Sequence, residues 1–384
     1  MAFIETSSMI GFGNVGDTCN FGKHQVNTES PWSIPCTIVN KDEEAKLLVL
    51  MADDIIDLRA FDAKEPSNSD SNRQSSGNNQ WRYSNIRQWL NSSNAAGSWY
   101  SAQHSADAPP STSESVANYN TQYQSRPGFL YNFSSEDRAL LTLTSILTNL
   151  PSVDGGNQNT TADKVFLPSA VEVGLSDGAA EGTVFQFFDG AQNTDRVAHM
   201  HATAFANTQS TNKPSSATSA WYYWLRTPNA SNSNNVRHVD TDGSLYNNNA
   251  YIGRYGVRPC FFIPMATGVD VIDKFMVLPA ASVITYLSPV RTLTGPAQNI
   301  AVAVDCVYEG SFVSVYACNN AYDAEPTWED VTTYVSANSI IKLNNSTKTA
   351  DNWGLQVKVV INKGDAPYIS SRGIAYIVLD ESVL

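Results

Sequence analysis

Trp221-Tyr-Tyr-Trp-Leu-Arg-Thr-Pro228 and Gly256-Val-Arg-Pro-Cys-Phe-Phe-Ile263 enclose a stretch of different character, Asn229-Ala-Ser-Asn-Ser-Asn-Asn-Val-Arg-His-Val-Asp-Thr-Asp-Gly-Ser-Leu-Tyr-Asn-Asn-Asn-Ala-Tyr-Ile-Gly-Arg-Tyr255. The flanks are aromatic and β-branched, the composition of paired core strands. The interior is polar and rich in Asn. A polar segment clamped between rigid strands is a displayed surface, where recognition side chains usually sit.

Within 229–255 there is no Lys, Glu, Gln, Met or Trp. None of those residue types can be encoded by a codon ending in C, whereas every type present can be, and Asn is AAC. Randomising the adenines of AAC codons yields Asn, Tyr, His, Asp, Ser, Ile, Arg and Gly. Asn229, Ser231, Asn232, Asn234, Asn235, His238, Asp240, Tyr246, Asn247, Asn248, Asn249, Tyr251, Ile252, Arg254 and Tyr255 are therefore the expected ligand-contact positions. Tyr offers large, stiff, amphipathic area at low entropic cost, and Asn and Ser offer adaptable hydrogen bonds, as in antibody paratopes.

Working outward, the first 270 residues alternate short strands, loops and a few helices. Tyr83-Ser-Asn-Ile-Arg-Gln-Trp-Leu90 places Ile86, Trp89 and Leu90 on one helical face, with Ser84 as N-cap. Ser134-Ser-Glu-Asp137 is a capping-box pattern followed by Leu140, Leu141, Leu143, Ile146 and Leu147 at helical spacing, and Ser169-Ala-Val-Glu172 repeats the device after a strand Lys164-Val-Phe-Leu167. Leu47-Leu-Val-Leu-Met51 reads as a buried strand. Residues 66–80 and 101–125 are polar and are expected to be surface loops or disordered segments. Beyond 278 the pattern turns to period two, as in Ile300–Tyr308, Ser311–Tyr316, Gln356–Ile361 and Ile374–Leu379, the signature of a β-sandwich of immunoglobulin-like or fibronectin-like type over 278–384. The fold class expected is β-rich α+β, followed by an all-β module.

Composition narrows the function. Charged residues make up 16% and the net charge is −13, a balance that repels phosphate backbones, so neither nucleic acid nor an anionic membrane is an expected partner. No apolar run is long enough to span a bilayer. The start, Met1-Ala-Phe-Ile-Glu-Thr-Ser-Ser8, lacks a basic region and apolar core, so export by a signal peptide is not expected. Cys19, Cys36, Cys260, Cys306 and Cys318 are odd in number, include no CxxC and read as buried free thiols.

Candidates for chemistry are few. His199-Met-His201 could line one strand face, but no further ligand stands at convincing spacing beyond Asp195, and no metal or other cofactor is expected. Asp240-Thr-Asp-Gly243 resembles a fragment of a calcium loop but lacks the later ligands, and reads as a turn. Asp53, Asp54 and Asp57 form an acidic cluster taken as a solvated helix start. No phosphate loop or nucleophile elbow is present, and catalysis is not expected.

Trp224-Leu-Arg-Thr-Pro228, Val236-Arg237, Asp242-Gly243 and Gly256-Val-Arg-Pro259 together resemble the variable region of diversity-generating retroelement target proteins. In these, a reverse transcriptase copies a template repeat, with adenine-specific errors, into the gene's variable repeat. Trp81-Arg-Tyr-Ser-Asn-Ile-Arg-Gln-Trp-Leu-Asn91, Asp163-Lys-Val-Phe-Leu-Pro-Ser169 with Glu172, and Gly16-Asp-Thr-Cys-Asn-Phe-Gly22 with Trp32 are similar to the same gut-bacterial and phage domain family, so the likeness spans roughly residues 10–265. The resemblance implies a C-type-lectin fold of the formylglycine-generating-enzyme type over 1–275, with a variable region at about 221–263 and Trp224, Arg226, Arg258 and Pro259 as its frame. Oxidases of that fold use two neighbouring cysteines, whereas the next cysteine along the chain from Cys260 is Cys306. Trp328-Glu-Asp-Val-Thr332 and Thr347-Lys-Thr-Ala-Asp-Asn-Trp353-Gly354 resemble the immunoglobulin-like tails of phage structural proteins. The expectation is a phage tail-associated, virion-borne receptor-binding protein that recognises a host-surface protein or glycan, with a homotrimer or another homo-oligomer open. The alternatives are a bacterial or prophage-encoded surface binder and an enzyme on the same scaffold.

Overall fold

A computed structural model describes residues 3–4, 10–11, 13–111, 123–176, 181–265, 283–307, 312–336, 339–362 and 370–378. The fold is β-rich α+β, with several sheets and short helices. Contacts gather the described residues into two compact units, the first made of residues 3–4 and 13–263 and the second mainly of residues from 264 on; the expected boundary at 275–278 lies outside the described residues.

In the first unit, one six-stranded sheet runs in the order Phe3–Ile4, Thr18–His24, Trp32–Asp42, Leu47–Ala52, Cys260–Pro264, Val165–Phe166. A five-stranded sheet runs Leu245–Asn249, Asn235–Val239, Tyr223–Pro228, Gly256–Val257, Asp57–Leu58. Leu47–Ala52 is the buried strand its unbroken apolar run predicts, and Tyr223–Pro228 is buried at every residue, Arg226 and Thr227 included. The two aromatic flanks do not pair simply with each other. Gly256 lies parallel to Tyr223, and after Pro259, which has no N–H to give a ladder, Cys260–Pro264 continues in the other sheet.

Two helix expectations hold at their caps. Ser84 Oγ accepts from Arg87 N at the start of Asn85–Leu90, which buries Ile86, Trp89 and Leu90. Ser134 Oγ accepts from Asp137 N, but that helix is Ser135–Leu140 and stops there. Thr144–Asn149 is instead a strand paired with Gln158–Asp163. Thr144, Ile146 and Thr148 are β-branched at every second position and suit a pleated surface, while Leu143 is 62% exposed and has no helical face to join. The Ser169–Glu172 box forms both reciprocal hydrogen bonds (Glu172 N to Ser169 Oγ, Ser169 N to Glu172 Oε2), yet the chain there makes turns rather than a helix. Residues 66–80 are not a plain surface loop: they contain the helix Ser71–Ser76, and Asn78, Asn79 and Gln80 are buried with hydrogen bonds. Of 101–125, residues 112–122 lie outside the described set, and Tyr123 is buried with its hydroxyl donating to Ala60 O. Asp57 starts no helix; it is buried between His24 and Arg59.

The second unit places Val283–Leu287, Trp353–Asn362, Phe312–Cys318 and Glu329–Asp330 in one sheet, with Arg291–Leu293 pairing Trp353–Asn362. Ile341–Lys342, Asn299–Val307 and Ser370–Val378 make another. Ile300, Val302 and Ile341 from one sheet and Val315, Leu355 and Val357 from the other share a single core, so the period-two pattern has its expected cause. Among the described residues no helix is long and apolar enough to cross a membrane. Cys19, Cys36, Cys260 and Cys318 are buried free thiols, and burial pushes each of them up in pKa; the side chain of Cys306 lies outside the described residues.

Candidate functional site

The site grows out of Tyr223–Pro228. That strand is held by its own buried side chains: Trp224 Nε1 donates to Arg59 O at 2.9 Å, and Arg226 makes a two-pronged ion pair with Glu172 at 2.5 and 2.6 Å. A guanidinium clasped this way has both prongs fixed, which fixes the strand. Arg258 donates through Nε to Ala52 O and lies over the Tyr223 ring.

Against this strand the segment 229–255 folds as a hairpin. Asn235–Val239 pairs antiparallel with Leu245–Asn249, setting Arg237 opposite Asn247 and His238 opposite Tyr246. Asp240–Ser244 is the turn, closed by Asp240 N to Ser244 O and Gly243 N to Asp240 O. Gly243 has φ +81°, and a Cβ there would lie 1.7 Å from Asn193 O, so only glycine fits. Leu245–Asn249 is the edge strand of the sheet. Its three asparagines and exposed Tyr246 keep that edge polar, which guards it against unspecific strand pairing.

The expected contact residues fall into three groups. Ser231 and Tyr246 are exposed, Tyr246 to 60%. Asn229, Asn232, Asn234, Asn235, Asp240, Asn247, Asn248, Asn249, Tyr251 and Arg254 are half-buried. His238 and Tyr255, at 2%, and Ile252, at 9%, are buried, and this departs from a surface displayed along its whole length. The cause is the pleat and the frame. His238 alternates with Arg237 onto the face that carries Tyr222, Trp224 and Tyr255, and Tyr255 is drawn onto Trp224 and Tyr222 with ring centroids 4.2 and 4.3 Å apart.

The asparagines do two jobs. Asn229 Oδ1 accepts from Ser231 N, and Asn232 Oδ1 from Asn235 N, which pins the turns entering the hairpin. Asn234 donates to Asn249 Oδ1 at 2.7 Å, Asn235 to Asn247 Oδ1 at 2.9 Å and Asn248 to the Tyr255 hydroxyl at 2.7 Å, a side-chain lattice across the outer strands. From beneath, Asn79 Nδ2 donates to Asn232 O and Asn235 O. Sequence reasoning missed this buttress because 66–80 looked merely polar; the run Asn78-Asn79-Gln80 directly before a buried Trp was the available signal.

Electrostatically the face is mixed. Arg237 and Arg254 stand with Asp240 and Asp242, and hydrogen bonds from Ser244 hold Asp242 below the usual carboxylate range. Burial lowers His238 from 6.5 to about 4, and its Nδ1 has no hydrogen-bond partner. The arrangement offers aromatic area, amide donors and acceptors and two cations, the means of non-covalent recognition. His199 is exposed, whereas His201 stacks flat on Trp32 at 3.9 Å, so the two imidazoles serve different surroundings.

Residues 46–265 match the model of a domain of unknown function, DUF6273, more than half of the chain and most of the first unit. No curated protein and no solved structure matches.

Proposed function

The chain belongs to the DUF6273 family, and from that premise we propose that it is a non-catalytic receptor-binding protein whose contact face is the outer side of the hairpin within 229–255. The supporting observation is the contrast between the edge strand and the strand that carries it. Tyr246 stands 60% exposed among half-buried asparagines, and two strands inward every residue of Tyr223–Pro228 is buried. Such a surface can change its side chains without moving its backbone. That is the property a diversified site needs, and the absence of residue types that adenine-randomised AAC codons cannot reach supports the same origin.

In this reading the protein is a retroelement-diversified variable protein with a C-type-lectin-like binding domain and an immunoglobulin-like second module. It is carried on a phage tail and meets a host-surface protein or glycan. A homo-oligomer such as a trimer would multiply weak contacts by avidity. The test uses the full chain on host cells. Combined replacement of Ser231, Tyr246 and Tyr251 by alanine should weaken binding by tenfold or more, since a central Tyr carries about 1–2 kcal/mol in such interfaces, while the melting curve stays that of the parent. Undiminished binding by a folded variant would refute the proposal. The neighbouring genome should also hold a reverse transcriptase and a near-copy of the repeat.

A further inference from the structure

Beneath the hairpin, the backbone N–H groups of Phe61 and Asp62 donate to Ala250 O, and just past that point three carboxylates and an imidazole converge. Glu65 and Asp62 are buried, and Asp107 and His104 are half-buried. One ligand atom each from Glu65, His104 and Asp107 lies within 4.8 Å of the others. Among the described residues no Lys or Arg forms an ion pair with Asp62, Glu65 or Asp107. Buried carboxylates are ordinarily paired with a cation or coordinate a metal, so positive charge is missing here.

His104 sharpens the case. Its Nε2 is buried and lies 2.7 Å from Glu65 Oε1, yet the two are not aligned as donor and acceptor, and Nε2 has no hydrogen-bond partner. Ala106 N lies 3.4 Å from His104 Nδ1, too long to fix the tautomer. The carboxylates are also steadied from outside. Asp62 accepts from Asn78 N and Asn85 N, Glu65 Oε2 from Asn68 Nδ2, and Asp107 Oδ2 from Gln103 N. Outer hydrogen bonds of this kind orient metal ligands.

We propose that Glu65, His104 and Asp107 bind one divalent transition-metal ion, zinc being the best fit, which ties the loop at 104–107 to the turn that supports the hairpin. The imidazole selects this class, because nitrogen suits zinc and its neighbours while calcium takes oxygen ligands. The site lay outside sequence reasoning because Glu65 is far in the chain from His104 and Asp107, which sit together in a polar stretch without periodicity.

The experiment is titration of chelator-stripped full-length protein with Zn²⁺, then Mn²⁺ and Ca²⁺, by calorimetry and thermal melting. One Zn²⁺ per chain should bind and raise Tm by roughly 5 °C. H104A should weaken that binding at least about 100-fold, whereas H199A, at an exposed imidazole, should leave it unchanged. E65Q should abolish binding, and because Glu65 is buried and that variant can misfold, the half-buried His104 carries the decision. The proposal fails if Zn²⁺ does not bind, if H104A binds as the parent does, if H199A loses the ion, or if Ca²⁺ binds more tightly than Zn²⁺. It fails equally if His104 and Glu65 form only an ion pair, in which case H104A lowers Tm while added metal or chelator changes nothing.

Discussion

Trp224 and Tyr255 stack with ring centroids 4.2 Å apart and planes inclined by 28°, which fastens the last residue of the Asn/Tyr segment to the most buried strand of its sheet. Tyr255 and Tyr246 therefore differ in role although they share one segment and one residue type. Tyr255→Ala should cost about 3 kcal/mol, the range for truncating a buried aromatic, whereas Tyr246→Ala should stay within about 0.5 kcal/mol. Urea denaturation of both variants reads this directly, and equal losses would contradict the division into frame and surface.

Arg226 and Glu172 form the other anchor of that strand. Glu172→Ala leaves a buried guanidinium short of its two-pronged partner and should destabilise the chain by about 3 kcal/mol or more. Glu181 stands close enough to raise the Arg226 pKa further, so it blunts this loss in part. Denaturant midpoints of Glu172→Ala and Glu181→Ala, taken singly and together, would show the coupling.

His238 gives the hairpin a pH response. Burial lowers its folded pKa from 6.5 to about 4, so between those values the unfolded chain binds the extra proton. The stability associated with a neutral His238 is complete above about pH 6.5, declines as the pH falls and levels off near pH 4, for a total of about 3 kcal/mol. Comparing parent and His238→Gln across that range isolates the effect, since all other titrating groups are common to both. Parallel stability curves would contradict it.

The cap at Ser84 is a smaller test of local reading. Ser84 Oγ accepts from Arg87 N, and Ser84→Ala should cost about 1 kcal/mol in thermal or urea unfolding.

Much of the architecture was legible in the sequence because it rests on local chemistry. The Leu47–Met51 run, the Ser84 and Ser134 caps and the period-two strands after residue 283 each carry their own signal. What failed was decided by distant partners. Ser134-Ser-Glu-Asp137 starts a helix, but how far it runs depends on Thr144–Asn149 finding Gln158–Asp163. Asp57 looks solvated until His24 arrives from an earlier strand to meet it, with Arg59 two residues on closing the other side. For the candidate site, the hairpin and its turn followed from pattern, whereas the burial of His238 and Tyr255 followed from packing on Trp224 and its neighbours, which no spacing within 229–255 encodes.

Sequencing many sister copies of this gene across codons 221–263 tests the central claim most directly. Substitutions should concentrate at AAC-derived codons of the exposed and half-buried contact positions, with His238, Ile252 and Tyr255 more restricted and Trp224, Arg226, Gly243 and Gly256 constant. Copies identical within 229–255 but scattered in their differences elsewhere would contradict the account.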